Sequence, residues 1–313
     1  MARPDLLMIG PMAKAVIEEL ERDFTVHRLW EAADPPALLE ELAPRVRHVA
    51  TGGHHGCSAE IIEALPQLEV IASFGVGYDA VDVAAARKHG VRVTNTPDVL
   101  SDCVAAMTLG LMLALCHRLP QADRFVREGR WAKGNFPLTD ELTGKRAGIL
   151  GLGRIGKEIA RRLQAFKMEV VYHGRNRQPL EPYPFYDDLE AMARDVDWLV
   201  VIAPGSSSTT GIVSRAVMAA LGPEGCLVNM ARGSLIDEPA MVELLRSGRL
   251  GGAALDVFAE EPQVPAELLG LDTVVLSPHQ GSATHQTRAA MGALVVANLR
   301  AHLRGDPLVS AVV

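Results

Sequence analysis

The sequence predicts an α/β protein made of two doubly wound parallel-sheet units, and three observations carry that expectation. Short apolar runs alternate with helical segments along the whole chain. A glycine-rich turn, GLGRIG, opens a second series of strands midway. The 313 residues, 48% of them hydrophobic, are enough to bury two cores.

Taken in order, the first series of strands is expected at residues 6–9, 25–29, 48–51, 70–73 and 91–94. The second is expected at 147–150, 169–173, 198–202, 227–230, 253–256 and 274–276. Helices fit between most of them, such as 155–166 after the glycines and 239–247 after GSLID. Such alternation implies parallel sheets joined by right-handed crossovers. The segment NTPDVLSD leaves the first unit, with Pro97 breaking the strand and Ser101 or Asp98 able to cap the next helix. A linker, GNFPLTDELTGK, leads into the glycine strand, and a last helix at 286–303 is free to cross back. The expected division is therefore a discontinuous substrate domain, 1–98 with 285–313, and a nucleotide domain, 99–284, with a cleft between them. There are no heptads, low-complexity tracts or short repeats.

Bulk properties exclude several classes. A net charge of −7 gives no basic footprint for nucleic acid. The start, MARPDLLMIG, lacks the apolar core of a secretory signal. The longest uncharged apolar run, 103–116, falls short of the roughly 20 residues that span a bilayer. Cys57, Cys103, Cys116 and Cys226 show no paired spacing, which fits free thiols and a cytoplasmic location.

The glycine turn reads as a dinucleotide-binding turn. Gly151 permits the sharp bend, Gly153 admits a pyrophosphate, and Gly156 allows helix and strand to pack. Arg154 and Ile155 open a helix whose N-terminus favours phosphate. The same residues with Lys157 mimic a phosphate-binding P-loop, but Glu158 stands where Ser or Thr is needed for magnesium.

The stretch YHGRNR, 172–177, then sets cofactor preference. Gly174 lies 23 positions after Gly151, where an acid normally holds the adenosine ribose. A carboxylate ~4 Å from one charge of a 2′-phosphate would cost roughly 4 kcal/mol at an effective dielectric of 20. Gly174 removes that repulsion, while Arg175 and Arg177 can fork onto phosphate oxygens, so NADP(H) is the expected cofactor.

Reactive groups belong at the carboxyl ends of the strands. Arg232 in NMARGSLID, Glu261 in LDVFAEEP and His279 in SPHQGSAT each follow a different strand of the second series. A carboxylate-bearing ketone needs a fixed cation, a proton donor and a group that orients the donor; arginine, histidine and glutamate supply them. The adjacent histidines of GGHHGC lack a second cluster, so no metal is expected. GSSSTT lacks a nucleophile-elbow pattern and reads as a loop.

GLGRIG, NMARGSLIDEPAMVELLRSGRLGGAALDVFAEEP, SPHQGSAT and IASFGVGYDAVD together resemble the D-isomer-specific 2-hydroxyacid dehydrogenase family over nearly the full chain. The resemblance implies a Rossmann domain inserted in a flavodoxin-like substrate domain, and a homodimer built around the Rossmann units. It implies a catalytic trio at Arg232, Glu261 and His279. Val76 and Gly77 would present backbone N–H groups to the substrate carboxylate, and Asp256 would fix the nicotinamide amide. Ala203 and Pro204 would line the adenosine side, Ala231 the cofactor, and Gly281 and Ser282 the nicotinamide side. YHGRNR and GRWAKGNFPLT resemble the NADPH-preferring glyoxylate/hydroxypyruvate reductases, including the type that also reduces hydroxyphenylpyruvate. In such a dimer Trp131 could reach a partner's pocket. Corepressors that sense nucleotides through this fold are the other class; the acidic charge and compact length favour the enzyme.

Overall fold

The computed structural model describes residues 3–313, which fall into two compact units. Residues through Leu100 together with Ala283–Val313 form one, and Ser101–Ser282 form the other.

In the first unit, β1 (Asp5–Met8), α1 (Lys14–Asp23), β2 (Thr25–Arg28), α2 (Pro35–Leu42), β3 (His48–Gly52), α3 (Ala59–Ala64), β4 (Val70–Phe74), α4 (Val83–Lys88) and β5 (Arg92–Thr94) alternate. The strands form one parallel sheet in the order β2-β1-β3-β4-β5, the flavodoxin-like arrangement. Both faces are buried. Leu7, Val49, Ile71 and Val93 pack to one side, and Leu6, Met8, Ala50 and Ala72 to the other. Helices on both faces explain why β1, β3 and β4 are buried in continuous runs rather than alternating.

The second unit starts with α5 (Ser101–Cys116) and α6 (Leu119–Arg127). There follow β6 (Arg146–Leu150), α7 (Arg154–Ala165), β7 (Glu169–His173), β8 (Phe185–Tyr186), α8 (Leu189–Arg194), β9 (Trp198–Val201), α9 (Arg215–Leu221), β10 (Cys226–Asn229), α10 (Glu238–Arg246), β11 (Gly252–Leu255) and β12 (Val274–Leu276). Its sheet has seven strands in the order β12-β11-β10-β9-β6-β7-β8, the doubly wound Rossmann order with one strand added. Gly148, Leu199 and Leu227 align across β6, β9 and β10, so the carboxyl ends of these strands come out in register. The chain closes with α11 (His285–Arg304), whose Val295, Val296 and Leu299 join the first unit's core.

Two local expectations need correction. The sequence shows six strands in the second unit, whereas the sheet has a seventh, β8. That strand is only two residues long and half-buried, too short to give an apolar pattern. Ser101 does not cap α5; it is the helix's first residue, and its buried Oγ has no partner among the described residues. The apolar run at 103–116 lies in α5, which buries Val104, Leu111, Met112 and Leu115. Among the described residues no single helix is long and apolar enough to cross a membrane. No disulfide joins the four cysteines, and burial pushes the thiols of Cys57 and Cys226 up to about 12.

Candidate active site

The site begins with the turn between β6 and α7. Gly151 has φ of 103°, and a Cβ there would lie 2.8 Å from the Cα of Ala203, so only glycine fits. Gly153 is the N-cap of α7, and no side chain caps the helix's leading N–H groups. The space beside Gly153 is open, with no atom within 4 Å of where a Cβ would stand. A helix N-terminus without a side-chain cap, facing open space, suits an anion. Ala203 is buried and Pro204 exposed at the end of β9. In the GSSSTT loop the hydroxyl of Ser206 pairs with those of Ser208 and Thr209, and Thr209 Oγ1 donates to the Pro204 carbonyl, so these groups hold the loop.

The second feature is the loop after β7. Gly174 borders open space, and Arg175 and Arg177 are exposed. Neither arginine makes an ion pair or hydrogen bond among the described residues. Arg146, Arg161 and Arg162 in the same unit are all paired with glutamates, so the two loop cations stand apart. Open space, an anion-binding helix end and two uncommitted cations in place of a carboxylate fit a dinucleotide carrying an additional phosphate.

Arg232, Glu261 and His279 follow β10, β11 and β12, which are neighbours in the sheet. His279 Nδ1 lies 2.8 Å from Glu261 Oε2, and the other carboxylate oxygen accepts from the Phe258 N–H at 3.2 Å. A carboxylate only accepts, so Nδ1 is the donor and Nε2 is the ring atom left for chemistry. Both side chains are partly buried, with 30% and 24% of their surface exposed. His279 also adopts φ of 54°, the left-handed region. A non-glycine residue held there costs about 1–3 kcal/mol and persists where its surroundings impose it.

The surroundings are supplied by Asp256, which is 2% exposed at the end of β11. Its Oδ1 accepts from Ser277 Oγ at 2.6 Å and from the Gln280 N–H at 2.7 Å, and its Oδ2 accepts from the Gly281 N–H at 2.8 Å. Its carbonyl accepts from the His279 N–H at 2.8 Å. Asp256 thus ties down every side of the loop that bears His279. Arg232 is organised in a similar way by Asn229, a buried residue closing β10. Asn229 Oδ1 accepts from the Ala231 N–H at 3.1 Å, and its Nδ2 donates to the Arg232 carbonyl at 2.9 Å. Arg232 Nη1 donates to the Ala231 carbonyl at 2.7 Å.

In the first unit, Val76 and Gly77 follow β4 in a loop pinned by Asn95 and Thr96. Asn95 Nδ2 donates to the Val76 carbonyl at 2.9 Å, and the Gly75 N–H donates to Thr96 Oγ1 at 3.0 Å. No acceptor among the described residues takes the N–H of Val76 or Gly77. The sequence reading missed Asn229, Asn95, Thr96 and Ser277. The signal was a polar residue at the end of, or just after, an apolar strand, which a buried hydrogen bond alone explains.

Residues 109–281 match the family model described as D-isomer specific 2-hydroxyacid dehydrogenase, NAD binding domain. The chain belongs to that family. Among its relatives is a hydroxyphenylpyruvate reductase of Plectranthus scutellarioides, 46% identical over 98% of both chains. A glyoxylate/hydroxypyruvate reductase of Arabidopsis thaliana is also 46% identical over 98% of both. Among solved structures, an NADPH-dependent glyoxylate/hydroxypyruvate reductase from Sinorhizobium meliloti, in complex with NADP and malonate, superposes with a TM-score of 0.94. It is 43% identical and covers 99% of this dehydrogenase and 97% of its own chain. In this dehydrogenase the glycine turn and the His279–Glu261 pair lie at the carboxyl end of one sheet.

Proposed function

We propose that this dehydrogenase is an NADPH-dependent reductase of small 2-keto acids, taking glyoxylate to glycolate and hydroxypyruvate to D-glycerate. The observation that carries the reading is the His279–Glu261 hydrogen bond on the sheet that the glycine turn opens. NADP(H) is assigned to Gly151, Gly153, Arg154, Ile155 and Gly156 for the pyrophosphate, and to Gly174, Arg175 and Arg177 for the 2′-phosphate. Ala203, Pro204, Ala231 and Gly281 border it, and Asp256 Oδ2, which accepts one bond to the two of Oδ1, is the oxygen for the nicotinamide amide.

When bound, the reduced nicotinamide supplies a hydride to the carbonyl carbon. His279 Nε2 gives the proton to the ketone oxygen, and the ring is left neutral with its Nδ1 proton still held by Glu261. Arg232 binds the substrate's carboxylate and carbonyl oxygen, which sets the reacting carbon in place and stabilises the developing alkoxide. The N–H groups of Val76 and Gly77 are assigned to a substrate carboxylate, and Ser282 is assigned to the substrate. The protein acts as a homodimer. Leu119, Val126, Trp131 and Leu138, all within one segment of twenty residues, are 49%, 54%, 66% and 98% exposed, and burial against a second copy would cover them.

A second reading is a reductase of bulkier 2-keto acids, since the hydroxyphenylpyruvate reductase of Plectranthus is as similar as the Arabidopsis enzyme. Oxidation of NADPH, followed with glyoxylate, hydroxypyruvate, pyruvate and hydroxyphenylpyruvate, separates the two. The proposal expects the highest kcat/KM with one of the first two. Silence across the whole panel would refute an enzyme and leave a nucleotide-sensing protein.

A further inference from the structure

We propose that Tyr172 and Gln178 are positioning residues for cofactor selection: they clamp the arginine loop onto the glycine turn, and the preference for NADPH depends on that clamp. The inference rests on the reading of Arg175 and Arg177 as the 2′-phosphate site. Among the described residues Tyr172 is the largest fully buried side chain, 1% exposed within β7. A phenol so deep in a core needs a partner for its hydroxyl. The partner is the N–H of Gln178, which donates to it at 2.6 Å from just beyond the loop. The Gln178 side chain reaches the other way, its Nε2 donating at 2.7 Å to the carbonyl of Leu152, between the first two glycines of the turn. Lys157 in the first helical turn of α7 pairs with Glu181 at 2.7 Å, a third tether on the same side of the loop. Upstream, His173 Nδ1 meets the Tyr186 carbonyl at 2.9 Å, so the strand end entering the loop is fixed as well.

These bonds hold up no core. Arg175, Asn176, Arg177 and Pro179 are exposed, and Leu180 is 97% exposed, so the segment buries almost no apolar surface. What the bonds fix is distance: the backbone carrying two cations is tied to the backbone of the pyrophosphate turn and to the helix that begins there. A 2′-phosphate and a pyrophosphate belong to one ligand with a fixed span. Holding their two receptors at that span lowers the ordering cost of binding both, and long arginine side chains carry much of that cost.

The test uses Tyr172→Phe, which keeps the ring and loses the oxygen, and Gln178→Met, which keeps the length and loses the donor. Calorimetry gives the dissociation constants of NADPH and NADH for the wild type and both variants, with a melting temperature for each. One hydrogen bond's loss corresponds to about 5- to 10-fold weaker NADPH binding. NADH, which lacks the 2′-phosphate, is expected to change by less than about twofold because only the loop's phosphate contact depends on the span. Equal weakening of both cofactors, or no change in either, would reduce the tethers to general support and overturn the clamp. A wild type that binds NADPH no better than NADH would instead remove the reading of the loop on which the clamp depends. Gln178→Met alters only a loop position, so it reads the clamp even if Tyr172→Phe fails to fold.

Discussion

The loop after β12, which carries His279, and the loop after β7, which carries Arg175 and Arg177, leave the same sheet on its carboxyl side and are held in opposite ways. The first is closed from within. Asp256 accepts from Ser277, Gln280 and Gly281, and Glu261 accepts from the imidazole N–H, so even a left-handed backbone at His279 is imposed. The second is tethered at its ends, and among the described residues its cations have no partner. The difference follows from the work assigned to each. Proton transfer needs a donor fixed to a fraction of an ångström. Recognition of a phosphate needs charge that no internal carboxylate has already neutralised.

The strongest way to break the comparison is to remove the closed loop's donor. His279→Asn is expected to lower kcat/KM by about 10²- to 10⁴-fold, the usual worth of a positioned proton donor. NADPH affinity, read by calorimetry, should stay close to wild type; a kcat within tenfold of wild type would take the proton from another group. Glu261→Gln comes next. An amide donates as well as accepts and so no longer fixes which ring nitrogen bears the proton. A loss of about 10- to 100-fold in kcat is expected, smaller than for His279→Asn because the donor remains.

A buried histidine at the other end of the first sheet sharpens the contrast in energetic terms. His48 is 3% exposed, its Nε2 lies 3.0 Å from His302 Nδ1, and burial with the His302 charge beside it lowers its pKa to about 4. An unfolded histidine titrates near 6.5, so below that pH the unfolded chain binds a proton that the folded chain refuses. The contribution of neutral His48 is therefore whole above pH 6.5, falls as the pH drops toward 4, and levels off below. The full window amounts to about 3 kcal/mol. Denaturant titrations at pH 7.5 and 4.5 should show most of that loss in the wild type, and His48→Gln should reduce the difference. Equal slopes would assign acid sensitivity elsewhere. The smallest effect is expected at Asp256→Asn, which turns one acceptor into a donor facing N–H or O–H groups and should cost about 1–3 kcal/mol in the same titration.

Much of this was legible in the sequence, for physical reasons that can be named. Strands buried on both faces give continuous apolar runs, so β7 at Glu169–His173 and β12 at Val274–Leu276 were read to the residue. The glycine turn was legible because Gly151 leaves no steric choice. Arg232, Glu261 and His279 stood out as polar groups in the loops that follow three apolar strands. What stayed hidden were contacts between residues far apart in the chain or masked by their type. Tyr172 reads as one more core aromatic until Gln178 is seen to use its hydroxyl. Asp256 reads as a cofactor ligand until the three donors converging on it show that it also builds the His279 loop. The two-residue β8 has too little pattern to be read at all.

The open loop supports the central claim, that Gly174 withholds a charge and Arg175 and Arg177 supply the opposite one to select NADPH. The direct measurement is the ratio of kcat/KM with NADPH to that with NADH, using glyoxylate or whichever 2-keto acid turns over fastest. It is taken for the wild type and for a variant carrying Gly174→Asp, Arg175→Ser and Arg177→Ser. A carboxylate placed beside the phosphate costs roughly 4 kcal/mol, so the ratio should fall by about two to three decades and NADH should become the better cofactor. A ratio that stays at its wild-type value would contradict the account.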